Sequence, residues 1–342
     1  MRLKEIGEDH FIKAIERRFS AEGLGGGARG RRVLKGIGDD TSVTLPGPGT
    51  VTLATTDTLA EGTHFQRAWA DPYLLGRKSL SISISDIAAM GGEPFFFLIS
   101  LQVPARTTLE FIDRLYKGVS DVAEGAGAVL AGGNTARASR SFSITTTLVG
   151  EAPQGRVVYR KGARPGETIY VTGTLGDSAL GLAELKRGGL TALKGPLKKA
   201  VRRHLDPTAR LEAGRGLARR SIATAMIDIS DGLLIDLKRL CSESSTGAVV
   251  SAPALPLSRE LRRHMKERGR TGATALALAG GEDYELLFTA RPADGPKIER
   301  LATRLGLAMT PVGEVAPPEE GITVTGEDGV PLKIKREGFT HF

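Results

Sequence analysis

The chain of 342 residues is short of several things, and each shortage closes a class of function. It has one cysteine, Cys241, so no disulfide framework can form within it. The opening "MRLKEIGEDH" carries charges where a signal peptide needs its apolar core, so secretion is not expected and a cytoplasmic location is. The longest apolar run, "FFFLISL" at 95–101, falls far below the roughly 20 residues of a membrane helix, and no membrane partner is expected. Zinc motifs are missing: five histidines are scattered and no HExxH occurs. There is no Walker-type phosphate loop, no HRD/DFG kinase set, no GxSxG elbow and no Cys/His nucleophile pair, so any nucleotide must be held through metals rather than a wrapping loop.

What is present is a 40% apolar composition over a length that suits two domains. The segment "EAPQGRVVYRKGARPGE" breaks periodicity and places a boundary near residues 150–160, giving domains 1–150 and 151–342. The net charge of +8 draws attention to the basic stretches 197–204 and 259–270. In both, apolar residues recur at i and i+4 (Leu197, Val201, Leu205; Leu257, Leu261, Met265), which makes the basic residues outer faces of helices. No aromatics interleave with them as a base-stacking surface would require, so nucleic acid is not expected as a partner. A basic nucleic-acid-binding protein stands as the alternative from a different class. A basic balance also suits small phosphorylated substrates.

Along the chain, Phe11, Ile12, Ile15 and Phe19 mark an amphipathic helix. Gly25, Gly27 and Gly30 fit a dinucleotide template, but no strand precedes them and no helix follows, so the match is a decoy. Val43 and Leu45, then Val51 and Leu53, flank "PGPG" and predict a hairpin of 41–45 with 50–56. In that register Asp39 and Asp40 would lie opposite Thr56 and Thr55, with Asp57 at the same end. Leu80, Ile84, Ile87 and Ala88 keep helical spacing, with Asp86 on the polar stripe and Gly91 as the residue just past the helix. A helix over 109–126 leads through "AVLAGGNTA" to a strand at "SFSITTTLVG". The second half alternates strand and helix, giving an α/β (α+β) chain: a mixed N-terminal sheet with helices, then a sandwich-like α/β domain.

The sharpest constellation is "AMIDISDGLLIDLKRL", where a buried strand meets a helix and Asp228, Ser230 and Asp231 fill the junction. Asp231 is either an N-cap or, with Asp228, a cation ligand beside a phosphate-binding helix end. "AGGEDYELLF" pairs two glycines, which allow close backbone approach, with Glu282 and Asp283. "VLAGGNTA" does the same beside Asn134. The oxygen candidates Asp39, Asp40, Thr55, Thr56, Asp57, Asp86, Asn134, Asp228 and Asp231 suit Mg²⁺.

Read in order, "GIGDDTSV", "TTDTLAEGTHF", "SISDIAAMGGEP", "GGNTA", "VTGTLGDSALGL", "DISDGLLIDL", "GGEDYELLF" and "GFTHF" resemble the thiamine-monophosphate kinases from end to end. That family shares a superfamily with aminoimidazole ribonucleotide synthetase, the alternative within the fold, and with selenophosphate synthetase, whose N-terminal reactive cysteine is missing here. The resemblance implies ATP- and Mg²⁺-dependent phosphorylation of thiamine phosphate to thiamine diphosphate by a homodimer joined through its N-terminal domains. It implies that Asp40, Thr55, Thr56, Asp57, Asp86, Asn134, Asp228 and Asp231 hold several Mg²⁺ ions. Tyr116, Gly133, Asn134, Arg160 and Ser230 would contact ATP, and His64, Glu282 and Phe339 thiamine phosphate. Asn134 departs from the Asp that many members carry, exchanging a charge for an amide oxygen. Phe339 either fills an apolar groove or covers the thiazolium ring. No catalytic side chain is expected, because the acceptor is a phosphate monoester with a second pKa of about 6 and supplies its own nucleophile.

Overall fold

The computed structural model describes residues 32–35, 43–268, 270–333 and 338–339. The opening helix, the glycine decoy and the Asp39–Asp40 pair lie outside them. The chain divides into two compact units, Met1–Ile87 with Gly92–Gln154, and Ala88–Gly91 with Gly155–Phe342.

In the first unit β1 (Val33–Lys35) pairs antiparallel with β2 (Val43–Thr44). A larger sheet follows from β3 (Thr50–Ala60), α1 (Pro72–Ala89), β4 (Glu93–Pro104), α2 (Leu109–Ala126), β5 (Val129–Ala138) and β6 (Ser143–Pro153). Its order is β3-β6-β4-β5, with β4 and β5 parallel and the other pairs antiparallel. The predicted hairpin is therefore corrected: β2 pairs with β1, and β3 pairs with β6, Thr55 facing Leu148 and Thr56 facing Thr147. The local Pro/Gly signal marks a turn but not its partner, and the long strand Ser143–Pro153 offers eleven register positions where two-residue β2 offers two.

Helix α1 is the expected helix. It closes as a Schellman motif: Gly91 takes φ 71°, its N–H donates to Ala88, and the Gly92 N–H reaches back to Ile87. Helices α1 and α2 cross so closely that a Cβ at Gly76 would stand 1.9 Å from the Leu115 carbonyl oxygen, and one at Gly118 1.9 Å from that of Tyr73. Only glycine permits that approach, and on the side of α1 that faces the sheet Ser83 and Asp86 meet β3.

The second unit contains β7 (Thr168–Thr172), α3 (Asp177–Gly188), α4 (Lys198–Leu205), α5 (Leu211–Arg219), β8 (Ala223–Asp228), α6 (Leu233–Ser244), β9 (Gly247–Ser251), α7 (Arg259–Arg268), α8 (Arg270–Ala279), β10 (Leu286–Ala290), α9 (Gly295–Leu305), β11 (Met309–Ala316) and β12 (Ile322–Thr325). Its sheet runs β12-β9-β11-β7-β10-β8, antiparallel except between β12 and β9. Strand alternation splits the core in two. Ile227 and Leu287 pack with Leu233, Leu237 and Leu240 on one face, while Met226, Leu286 and Phe288 pack with Leu217, Ile298 and Leu301 on the other. Both faces are covered, as a sandwich-like unit requires. No helix among the described residues is long and apolar enough to cross a membrane.

Helix α4 corrects one expectation. Its basic residues do not all face outward: Arg203 turns in to Glu285, and His204 is buried beside Val201 and Leu205.

Candidate functional site

Strand alternation on β3 sorts the Thr55-Thr56-Asp57 run. Thr55 and Asp57 face α1, where Thr55 Oγ1 donates to Asp86 Oδ2 and Ser83 Oγ donates to Asp57 Oδ2 at 2.7 Å. Burial first, and then the neighbouring Asp86 charge, push the Asp57 carboxyl up to about 6. Two carboxylates thus share a partly dehydrated place lined by hydroxyls. The Thr146 side chain, opposite Asp57 in register, adds a buried hydroxyl with no hydrogen-bond partner. This is a hard-oxygen donor set in which a divalent cation would relieve like-charge repulsion, and it fits Mg²⁺.

Thr56 points the other way, its hydroxyl 3.1 Å from that of Thr147 on the outer face. Asn134 lies in register with Ser100, Thr145 and Thr58, on that same outer face and at the opposite edge of the sheet. Within this unit neither side chain joins Asp57 and Asp86. Gly133 owes its identity to β4, since a Cβ there would stand 2.0 Å from the Ile99 carbonyl oxygen. Tyr116 is buried, and desolvation pushes its hydroxyl well above the ordinary phenol range, so the structure places it in the core. His64 sits just past β3, where its Nδ1 accepts the Ala60 N–H at 3.1 Å and directs the ring.

In the second unit the β8–α6 junction gathers five expected residues. Residues 282–285 run alongside it: the Glu282 N–H donates to the Ser230 carbonyl (2.7 Å), Tyr284 to Ile229 (2.8 Å), and Ile229 to Glu285 (2.8 Å). The Phe339 N–H donates to the Asp231 carbonyl at 2.9 Å. Asp228 ends β8, buried opposite Leu286. Asp228, Ser230, Asp231, Glu282 and Phe339 therefore meet at one helix end. Phe339 is 38% exposed.

Asp231 is not the N-cap. Gly232 holds that place with φ 125°, and Asp236 Oδ2 collects the N–H groups of Ser230, Asp231 and Gly232 at 3.0–3.2 Å. Burial pushes the Asp236 carboxyl up to about 6 against those donors. Asp231 pairs with Arg239 at 2.7 Å. The Arg160 carbonyl accepts from Ser244, at the far end of α6 from this junction. Among the described residues no group of three or more His, Cys, Asp or Glu is arranged as a metal centre.

Sequence reasoning missed the polar frame behind Glu282. Asp283, buried, accepts the N–H groups of Gly176 (2.7 Å) and Ser178 (3.2 Å) and so caps α3 from a distant segment. Glu285, also buried, meets Thr172, Arg203 and Arg210. Glu282 and Tyr284 adopt φ of 65° and 50°. The one signal available was acid density in "GGEDYE".

The fold and this distribution of acids define a two-domain class. Family models for AIR synthase related proteins match it, the N-terminal domain over residues 38–152 and the C-terminal domain over 164–325. The thiamine-monophosphate kinase of Salmonella typhimurium is 39% identical over 316 residues, covering 91% of this chain and 92% of that protein. The crystal structure of thiamine-monophosphate kinase from Stenotrophomonas maltophilia K279a superposes with a TM-score of 0.82 at 34% identity, over 93% of this chain and 97% of that one. The structure of AaThiL complexed with AMPPCP and TMP covers 100% of this chain and 99% of its own, with a TM-score of 0.73 and 35% identity. The chain belongs to the thiamine-monophosphate kinase family, within the AIR synthase related fold.

Proposed function

We propose that the protein transfers a phosphoryl group from ATP to thiamine phosphate, giving thiamine diphosphate. The observation that carries this reading is the end-to-end match to a structure holding AMPPCP and TMP together, in a family of kinases. The site residues are compatible with it. Asp57 and Asp86, with the Thr55 hydroxyl, would hold Mg²⁺ in the first unit, and Asp228 and Asp231 in the second. Bound there, the cation supplies charge neutralisation for a polyphosphate. Ser230, at the amino end of α6, would offer its hydroxyl to ATP, since the N–H groups of residues 230–232 go to Asp236. Glu282 and Phe339 would receive the thiamine end: a carboxylate and an aromatic face both suit a cationic ring. His64 on the turn after β3, Arg160 and the glycine-rich β5 are further expected contacts. No side chain need act as nucleophile. Cys241 is buried and its thiol is pushed up by desolvation, and the acceptor phosphate is already largely dianionic near neutral pH.

A homodimer joined through the first unit and a cytoplasmic location belong to the same proposal. Partly buried Phe96 and Leu98, on the outer sheet face among threonines, support the former. A coupled ADP-release assay tests the activity: turnover is expected with thiamine phosphate and Mg²⁺, and none with thiamine or aminoimidazole precursors. Turnover with an aminoimidazole precursor instead would overturn it.

A further inference from the structure

The segment 280–285 is bent into a conformation that its own residues do not favour. Glu282 and Tyr284 both take left-handed φ, which persists only where surrounding contacts over-determine it. Beside the backbone bonds to Ser230 and Ile229 and the Asp283 bonds to α3, those contacts come from two consecutive residues at the end of α4. Arg203 Nη2 donates to the Asp283 carbonyl at 3.1 Å and to Glu285 Oε1 at 2.6 Å, fixing the backbone on one side of Asp283 and the side chain beyond it. His204 Nδ1 stands 3.2 Å from Glu282 Oε2 and 3.0 Å from Ser178 Oγ. The burial is lopsided: the His204 side chain is 3% exposed, the Glu282 side chain 23%. The imidazole thus approaches the carboxylate from inside the protein, while the carboxylate reaches the surface. A carboxylate accepts and cannot donate, so a hydrogen bond across that contact requires the proton on Nδ1, with the Ser178 hydroxyl then turning its own hydrogen elsewhere. Ser178 is itself held at the amino end of α3 by Asp283, which closes a ring of contacts around Glu282.

We propose that His204 is a positioning residue for thiamine-phosphate binding, its Nδ1–H holding the Glu282 carboxylate toward the substrate from the buried side while Arg203 locks the backbone beneath. The inference rests on the reading that Glu282 meets thiamine phosphate. A helix whose basic residues read as solvent-facing becomes the part of the fold that aims a substrate ligand. Nothing in this role touches the nucleotide, so the effect separates the two substrates.

Steady-state kinetics varying each substrate test it, with thermal melting on every variant. Glu282→Gln should raise KM for thiamine phosphate about tenfold or more, because a hydrogen-bonded charge is lost. His204→Leu should raise the same KM about tenfold and leave KM for ATP within about twofold. His204→Asn, which keeps an N–H near the Nδ1 position, should recover most of the loss. His204→Leu/Glu282→Gln should be no worse than Glu282→Gln alone. If His204→Leu does not fold, His204→Gln, which displaces the donor by one methylene, takes its place against His204→Asn. An unchanged KM for Glu282→Gln would remove the substrate reading and this role with it. A normal effect of Glu282→Gln with additive His204 effects, or equal effects on both substrates, would overturn the positioning role alone.

Discussion

In the first unit Asp57 and Asp86 receive hydroxyl donors from Ser83 and Thr55, whereas in the second Asp231, Asp236 and Glu285 each meet an arginine. A hydroxyl orients a carboxylate but does not neutralise it, so the repulsion within the Asp57–Asp86 pair adds to burial in raising the Asp57 carboxyl. An arginine neutralises the acid, after which the group is architecture. Acids of the first kind suit an external cation; Asp236 and Glu285 are spent on holding segments in place, and Asp231 would take a cation only in exchange for Arg239. At the β8–α6 junction Asp231 and Asp236 share Arg239.

The largest expected effect breaks the arginine side of this contrast. Arg210→Ala leaves the buried Glu285 carboxylate short of a counter-charge and should cost about 3 to 5 kcal/mol of stability, read by urea unfolding. Adding Glu285→Gln should return much of it, because the stranded charge is gone; no recovery would mean that packing, not charge, was lost.

The hydroxyl side should respond in the opposite way. Asp57→Asn is expected to lower turnover at least about 100-fold while leaving the melting temperature unchanged or slightly raised, since it removes one of two like charges. Near-normal turnover at low Mg²⁺ would show that the pair is not a cation site.

The smallest effect concerns Asp283, whose side chain accepts the backbone N–H groups of Gly176 and Ser178 and whose carboxyl burial pushes up to about 7 from 3.8. The folded state then binds a proton that the unfolded state releases. This contribution is full below about pH 4 and is lost as pH rises through about 7. Wild type should therefore lose more melting temperature between about pH 5 and pH 8 than Asp283→Asn, whose side chain stays neutral throughout. Parallel pH profiles would place the slope elsewhere.

Much of the site was legible. The expected helix over α1 carried Asp86 to the strand bearing Asp57, and the junction acids at 228 and 231 could be read from a strand running straight into a helix stripe. What failed shares a cause. The hairpin and the outward reading of α4 depended on which distant segment lies alongside, and so does the packing that the glycines at 133 and 281 allow, separate from any ligand approach. A Cβ at Gly133 meets Ile99, one at Gly281 meets Ser230, and Arg203 meets Glu285 across 82 positions of sequence.

By itself the sequence carried the family resemblance in its motifs from end to end, and it determined the local terms: helix and strand periods and the αL stop at Gly91. These follow from spacing of a few residues, where backbone geometry alone sets the outcome. Only the tertiary structure decided that Thr55 faces Asp86 while Thr56 turns away, that Asp236 rather than Asp231 closes the helix end, and that His204 stands behind Glu282. Those outcomes depend on long-range packing and on where buried charges find partners, and no local pattern carries that information.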